Sequence, residues 1–248
     1  MNNCRYENET GRSMIEMLGV LAIIGVLSVG GIAGYSKAMT KFKTNQVADN
    51  VSMMVANIKT LYAQQKSYNG LNTENAISLG VVPDELKKSA SELTNSFNGS
   101  VVINASNSTN GEALPRAFDI IFNGLPKEAC ITLATNDWGS GYSSGLIALH
   151  AQATPYTEST WNAYIGCTSG TGDGIPPKKA AASDYINGGV NLASVNNTQT
   201  NAGISLQAYS ASGYTSCPGS NMPMPVMQAA DACACNNGNT CSVMWKYY

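Results

Sequence analysis

The sequence predicts an α+β protein in which one long N-terminal α-helix packs on an antiparallel β-sheet head. Three observations lead there. Between Glu16 and Lys37 the chain runs for twenty residues without a formal charge. Beyond Lys37, apolar residues recur at spacings of three and four, which marks one face of a helix. From residue 99 onward, short runs rich in Val, Ile, Leu and aromatic residues alternate with Gly, Asn, Ser and Pro, the patterning of strands and turns.

The helix comes first. An uncharged run of that length is what an α-helix needs to cross about 30 Å of hydrocarbon, and residues 14–36 are the expected span. A cleaved secretory signal is the competing reading, because Arg5 and Arg12 supply a basic start and Ser28-Val29-Gly30 a small-x-small site. Against it, Phe42, Val47, Val51, Met54, Val55, Ile58, Leu61 and Tyr62 carry the helical periodicity onward, with no proline before "SYNG" at residues 67–70. The two segments therefore read as one helix over residues 12–66, about 80 Å long at 1.5 Å per residue. Glu16 sits at the mouth of the uncharged run, where an unpaired charge costs at least about 2.5 kcal/mol on insertion scales. It either snorkels to the headgroups or meets a cationic partner.

The head is expected over residues 67–248. "GSVVIN" (99–104), "AFDIIFN" (117–123), "GLIALH" (145–150), "GISLQAY" (203–209) and "SVMWKYY" (242–248) have strand character. A single sheet laid on the outer half of the helix would bury the stripe from Val47 to Tyr62. "VVPDELKKSASEL" (81–93) and "MPVMQAADAC" (224–233) read as short helices, and residues 168–213 as loops with few strands.

Only 12% of the 248 residues are charged, about half the usual share for a soluble domain. The net charge of −2 includes no basic field able to neutralise phosphates, so nucleic acid is not an expected partner. Of seven cysteines, Cys4 precedes the apolar run, while Cys130, Cys167, Cys217, Cys233, Cys235 and Cys241 all lie beyond it. An even set crowded into Gly- and Asn-rich loops fits disulfides formed outside the cytoplasm better than buried free thiols. Metal thiolates are disfavoured, since "CACNNGNTC" lacks paired C-x2-C motifs and the single histidine, His150, is distant in sequence. Six cysteines allow fifteen pairings, and a Cys233 to Cys235 bond would close a strained ring. "GTGDG" (170–174) and "NNGN" (236–239) hold oxygen ligands that a calcium ion could take, although such stretches also form plain turns; no other cofactor is expected. "GYSSG" (141–145) matches a hydrolase nucleophile elbow but has no acid followed by a histidine after it, so no catalytic residue and no enzyme are expected.

The stretch "GRSMIEMLGVLAIIGVLSVGGIAGYSKA" (11–38) resembles the N-terminus of type IV pilins and of the pseudopilins of type II secretion. In that family a short leader ends in glycine, a membrane peptidase cuts after it and methylates the new N-terminus, and the apolar helix stays on the mature chain. The resemblance implies a leader over residues 1–11, with Gly11 its last residue, Arg12 the first mature residue and Glu16 the glutamate at mature position five. It also supplies a partner for Glu16, the N-terminal amine of a neighbouring subunit, here on Arg12. A looser similarity extends to about residue 135: "YNGLNTENAISLGVVPDEL", "FNGSVVI" and "FDIIFNGLPKEACITLAT" follow the order seen in type IVb heads. There a helix begins at a Val-Pro pair, and Leu125, Pro126 and Cys130 would open a segment leading to a disulfide-bounded C-terminal region. The resemblance would pair Cys130 with a cysteine beyond residue 160.

The expected function is that of a structural pilus subunit, single-pass in the inner membrane before assembly and extracellular afterwards. Its implied partners are further copies of itself in a helical filament, the prepilin peptidase and an inner-membrane assembly platform. The alternatives are a secretion pseudopilin and, from a different class, a secreted disulfide-bonded binding protein whose N-terminus is lost as a signal peptide.

Overall fold

The structure, a computed structural model, describes residues 14–106, 114–139, 144–156, 185–186, 189–191, 214–216, 223–235 and 238–248. The chain divides into two units, residues 1–42 and 43–248.

The described part of the first unit is helical throughout and belongs to α1, Met14–Tyr62. Residues 14–38 are all exposed. The hydroxyl of Ser28 donates to the Ile24 carbonyl (2.7 Å) and that of Thr40 to the Ser36 carbonyl (3.1 Å), so these two hydroxyls are satisfied by the helix itself. That is the arrangement lipid demands of any hydroxyl that enters it.

The second unit begins inside α1. Here Thr44, Val47, Asn50, Val51, Met54, Ile58 and Tyr62 are buried, spaced by three or four residues apart from the adjacent pair Asn50 and Val51, so one face enters the core. Full burial of Val47, Val51, Met54 and Ile58 at about 1.5–3 kcal/mol each outweighs any difference in helix propensity along this half. Two members of the expected stripe fall off the face: Phe42 is 63% and Leu61 42% exposed, while Thr44 and Asn50 take buried positions. The helix ends at Tyr62, and single turns follow, with Gln65 N bonded to the Tyr62 carbonyl. A short helix α2 (Thr73–Ser78) comes next, capped by Asn72, whose side chain accepts from Asn75 N at 2.7 Å.

The helix expected over residues 81–93 does not form. Only a 3-10 turn at Asp84–Leu86 is helical, and the segment ends in the first strand, β1 (Leu93–Thr94). Ser89 Oγ accepts from the backbone of Ser91 and Glu92, and Lys88 N bonds the Glu92 carbonyl. Such local bonds compete with a helix, and pairing of Leu93 with Val101 on the sheet edge decides the contest.

The sheet continues through β2 (Ser100–Ser106), β3 (Ala117–Leu125), β4 (Leu146–Gln152), β5 (Tyr185–Ile186), β6 (Gly189–Asn191), β7 (Tyr214–Ser216) and β8 (Cys241–Tyr247). Its order is β1-β2-β3-β8-β4-β7-β6-β5, and every recorded pair is antiparallel. Four of the strands coincide with expected ones; the segment 203–209 lies outside the described residues, as does most of 168–213. Helix α3 (Lys127–Thr135) was not anticipated, whereas α4 (Val226–Ala232) falls within the expected 224–233. The turn from β1 to β2 is held by Asn95, whose side chain accepts from Phe97 N and Gly99 N and donates to the Asn123 carbonyl. A Cβ at Gly99 would collide with that same carbonyl, so only glycine lets β3 approach there.

One sheet face shares its core with α1. Phe118, Ile120 and Phe122 of β3 join Val243, Trp245 and Tyr247 of β8 and Leu149 and Ala151 of β4. Trp245 stands edge-on to Phe122 (5.8 Å, 88°) and to Trp138 (5.0 Å, 70°). The second face is buried too, and there polar groups stand beside a small apolar cluster of Ile121, Met244 and Tyr156. Asp119, Asn123, His150, Gln152, Ser242 and Lys246 are all at most 5% exposed.

Candidate assembly site: an uncovered apolar helix on a disulfide-bound head

Glu16 lies in the first turn of α1, where the unpaired N–H groups of a helix favour a carboxylate. Behind it the helix displays Ile23 at 63%, Val26 at 75%, Val29 at 72% and Ile32 at 69% exposure. None of the eighteen-residue apolar window is buried within the chain. A surface so apolar and so extended needs a membrane or other apolar helices around it. Added Cβ atoms at Gly19, Gly25, Gly30, Gly31 and Gly34 would meet nothing within 4 Å, so these glycines leave a narrow, uncovered surface. Gly11 and Arg12 lie outside the described residues.

The head is stapled where its last strand begins. Cys130 on α3 is joined to Cys233 at the end of α4 (Cα–Cα 5.8 Å), and Cys235 to Cys241 at the start of β8 (Cα–Cα 5.5 Å). The two bonds lie side by side, with the sulfurs of Cys130, Cys233 and Cys241 within 4.8 Å of one another. All three sulfurs are spent in disulfides, so this cluster offers no thiolate to a metal. Cys167 and Cys217 lie outside the described residues, as do "GTGDG" (170–174) and Ser143; "NNGN" is described only at Gly238 and Asn239.

Among the described residues, two hollows lie beside the head half of α1. One, of about 450 Å³, is lined by Asp49, Ser52 and Val55 of the helix together with Asp137, Trp138 and Tyr247. The other, of about 440 Å³, is lined by Lys59, Lys66 and Arg116 with Tyr62, Tyr68 and Tyr248. Lys59 stands at the boundary: its Nζ donates to the Ser144 carbonyl at 2.8 Å and lies 5.0 Å from the Tyr247 ring centroid. Burial lowers the pKa of this amine and raises that of the Tyr247 phenol. Gly145, at φ +71°, makes room for it, since a Cβ there would run into Lys59 Nζ.

The polar face of the sheet holds an ion pair, Lys246 Nζ to Asp119 Oδ1 at 3.5 Å, with Lys246 also donating to Ser106 Oγ at 2.9 Å. Burial pushes the Asp119 carboxyl up, and the lysine beside it pulls it partly back. His150, fully buried and hydrogen-bonded to Gln152, is pushed down to about 3 by burial and stays neutral near neutrality. Of these groups the sequence drew notice only to His150, as the single histidine, and not to the buried pair. The available signal was one charge within an otherwise apolar strand, in "AFDIIFN" and "VMWKYY".

Residues 41–175 match the family model described as PilS N terminal. The chain is 30% identical over 139 residues, 56% of its length and 69% of theirs, to the "Major structural subunit of bundle-forming pilus" of Escherichia coli O127:H6 and of Escherichia coli O111:H-. Among solved structures, it is similar to the type IVb pilin from Salmonella typhi (15% identity, TM-score 0.39, 80% of this chain and 95% of that one). It is also similar to TcpA, a type IV pilin from Vibrio cholerae El Tor biotype (15%, TM-score 0.41, 83% and 99%). On the family model, which spans more than half of the chain, and the bundle-forming pilus relatives, the chain belongs to the type IV pilin family.

Proposed function

We propose that this chain is the polymerising subunit of an extracellular pilus. Held first in the inner membrane by residues 14–36, it loses its leader after Gly11 to a prepilin peptidase, and an assembly platform then lifts it into a helical filament. The observation that carries this reading is the uncovered helix: twenty uncharged residues, opened by one carboxylate and none of them buried in the chain. Such a surface is stable in two settings, lipid and a bundle of like helices, and assembly moves it from one to the other. Glu16 gives the transfer a register. Its carboxylate pairs with the N-terminal amine on Arg12 of a neighbour, because a charge in apolar surroundings needs a counter-charge. The likeness to a bundle-forming pilus subunit supports the same reading.

The test is the intact mass of the chain recovered from sheared filaments. A mature protein starting at Arg12 is expected, and a start beyond Gly30 would assign residues 1–30 to a signal peptide and end the filament reading.

A further inference from the structure

Both hollows beside α1 carry charge of one sign, and the signs are opposite. Asp49 and Asp137 belong to the first, Lys66 and Arg116 to the second. Asp49, Lys66 and Arg116 are exposed, and none of the three makes an ion pair among the described residues. Asp137 already accepts a bond from Gly139 N (2.9 Å), which fixes its carboxylate at the rim. Trp138 forms part of the acidic hollow's wall and is held by its own bond to the Leu133 carbonyl at 2.7 Å. The exposed Asp49 carboxylate and the Trp138 indole in the wall of this hollow suit a guanidinium or ammonium group on a long side chain. The second hollow ends in two such side chains, at its solvent edge.

We infer that the acidic hollow of one head receives Lys66 and Arg116 of a second copy of this chain. The inference rests on the filament reading, which places identical heads side by side in one orientation. In that arrangement like hollows do not meet. The contact is head-to-tail, each copy giving its cations and taking its neighbour's, and so it propagates rather than closing as a pair. Asp49 and the helix end at Tyr62 are thirteen residues apart, or about 20 Å along the axis. No other occupant accounts for both hollows: a small acidic ligand would use only the second, and a cationic one only the first. Lys59 does not compete, because its amine is committed to Ser144 and Tyr247.

The experiment compares sheared-filament yield, normalised to membrane-held subunit, for full-length wild type, Asp49→Lys, Lys66→Glu and the chain carrying both changes. Each single reversal sets like charges face to face and is expected to cut filament yield about tenfold or more. The double variant restores opposite charges across the contact and is expected to recover most of the yield, as is co-expression of the two single variants. Mapping of the two disulfides in the membrane-held pool shows that the heads have folded. Normal filaments from either single variant, or a double variant no better than the worse single one, would overturn the contact while leaving the filament reading intact. Absence of filaments from the wild type would refute both.

Discussion

The two disulfides are adjacent in space but close loops of very different length, and this yields a quantitative prediction. The sequence separation is 103 for Cys130–Cys233 and 6 for Cys235–Cys241. On the chain-entropy relation these closures contribute about 4.7 and about 2.2 kcal/mol at 25 °C, mainly by restricting the unfolded chain. If Cys167 and Cys217 are themselves joined inside the larger loop, its effective length is roughly halved. The contribution then falls only to about 4.2 kcal/mol, because the dependence is logarithmic. Cys130, Cys233 and Cys241 are all at 0% exposure, so replacement by alanine also removes buried sulfur from the core in both cases. The assay is urea unfolding of the detergent-solubilised chain, followed by the fluorescence of Trp138 and Trp245, which sit in the shared core. Changing Cys130 and Cys233 together to alanine should lower stability about twice as much as changing Cys235 and Cys241 together. Equal losses from the two pairs, or a larger one from the six-residue loop, would refute the entropic account and place the stabilisation in local contacts around β8.

Two further outcomes follow from single side chains. Glu16→Ala should leave leader removal and membrane insertion unchanged while cutting sheared-filament yield at least about tenfold, since an unpaired charge hinders insertion and a paired one holds register; normal filaments would mean that Glu16 only snorkels. His150, the sole histidine, is pushed by burial from the usual 6.5 to about 3 in the fold, so the unfolded chain binds the extra proton between those values and stability falls as pH drops through that window. Urea unfolding at pH 7 and pH 5 should show a loss of about 2 kcal/mol that His150→Leu abolishes, and an unchanged slope in the variant would show that other groups cause it. Asp119 shifts the opposite way: burial raises its carboxyl and Lys246 pulls it partly back, so its own contribution to stability falls as pH rises.

Long-period patterns were readable in the sequence, whereas local competitions were not. The spacing of Val47, Val51, Met54 and Ile58 fixes which face of α1 is buried, because those side chains have no better place to go. Phe42 and Leu61 share the periodicity approximately, but each lies off that face and stays in solvent. Residues 81–93 have the composition of a helix; their Ser side chains and the pull of Leu93 toward β2 make them a turn and an edge strand. For the candidate site, the charge gap behind Glu16 was visible at once. The hollows were invisible, since they bring α1 together with residues 116, 137–138 and 247–248, and such proximities depend on strand order. Strand order itself was beyond reach: neither hydrophobic pattern nor turn chemistry says that β8 pairs with both β3 and β4.

That strand order governs when the head can exist at all. β8 follows every other strand in the sequence yet lies in the interior of the sheet, with Phe118 paired to Tyr247 and Leu149 to Trp245. While the chain is being synthesised and exported, β1, β2 and β3 can pair among themselves. Their open edge at β3 waits for a segment more than a hundred residues downstream, and the facing edge of β4 for the same segment about ninety residues on. Exposed edges of this kind invite pairing with other chains, and contacts so distant in sequence form slowly. The interval between the emergence of β3 and the arrival of β8 is therefore the period in which a nascent head is most open to mispairing.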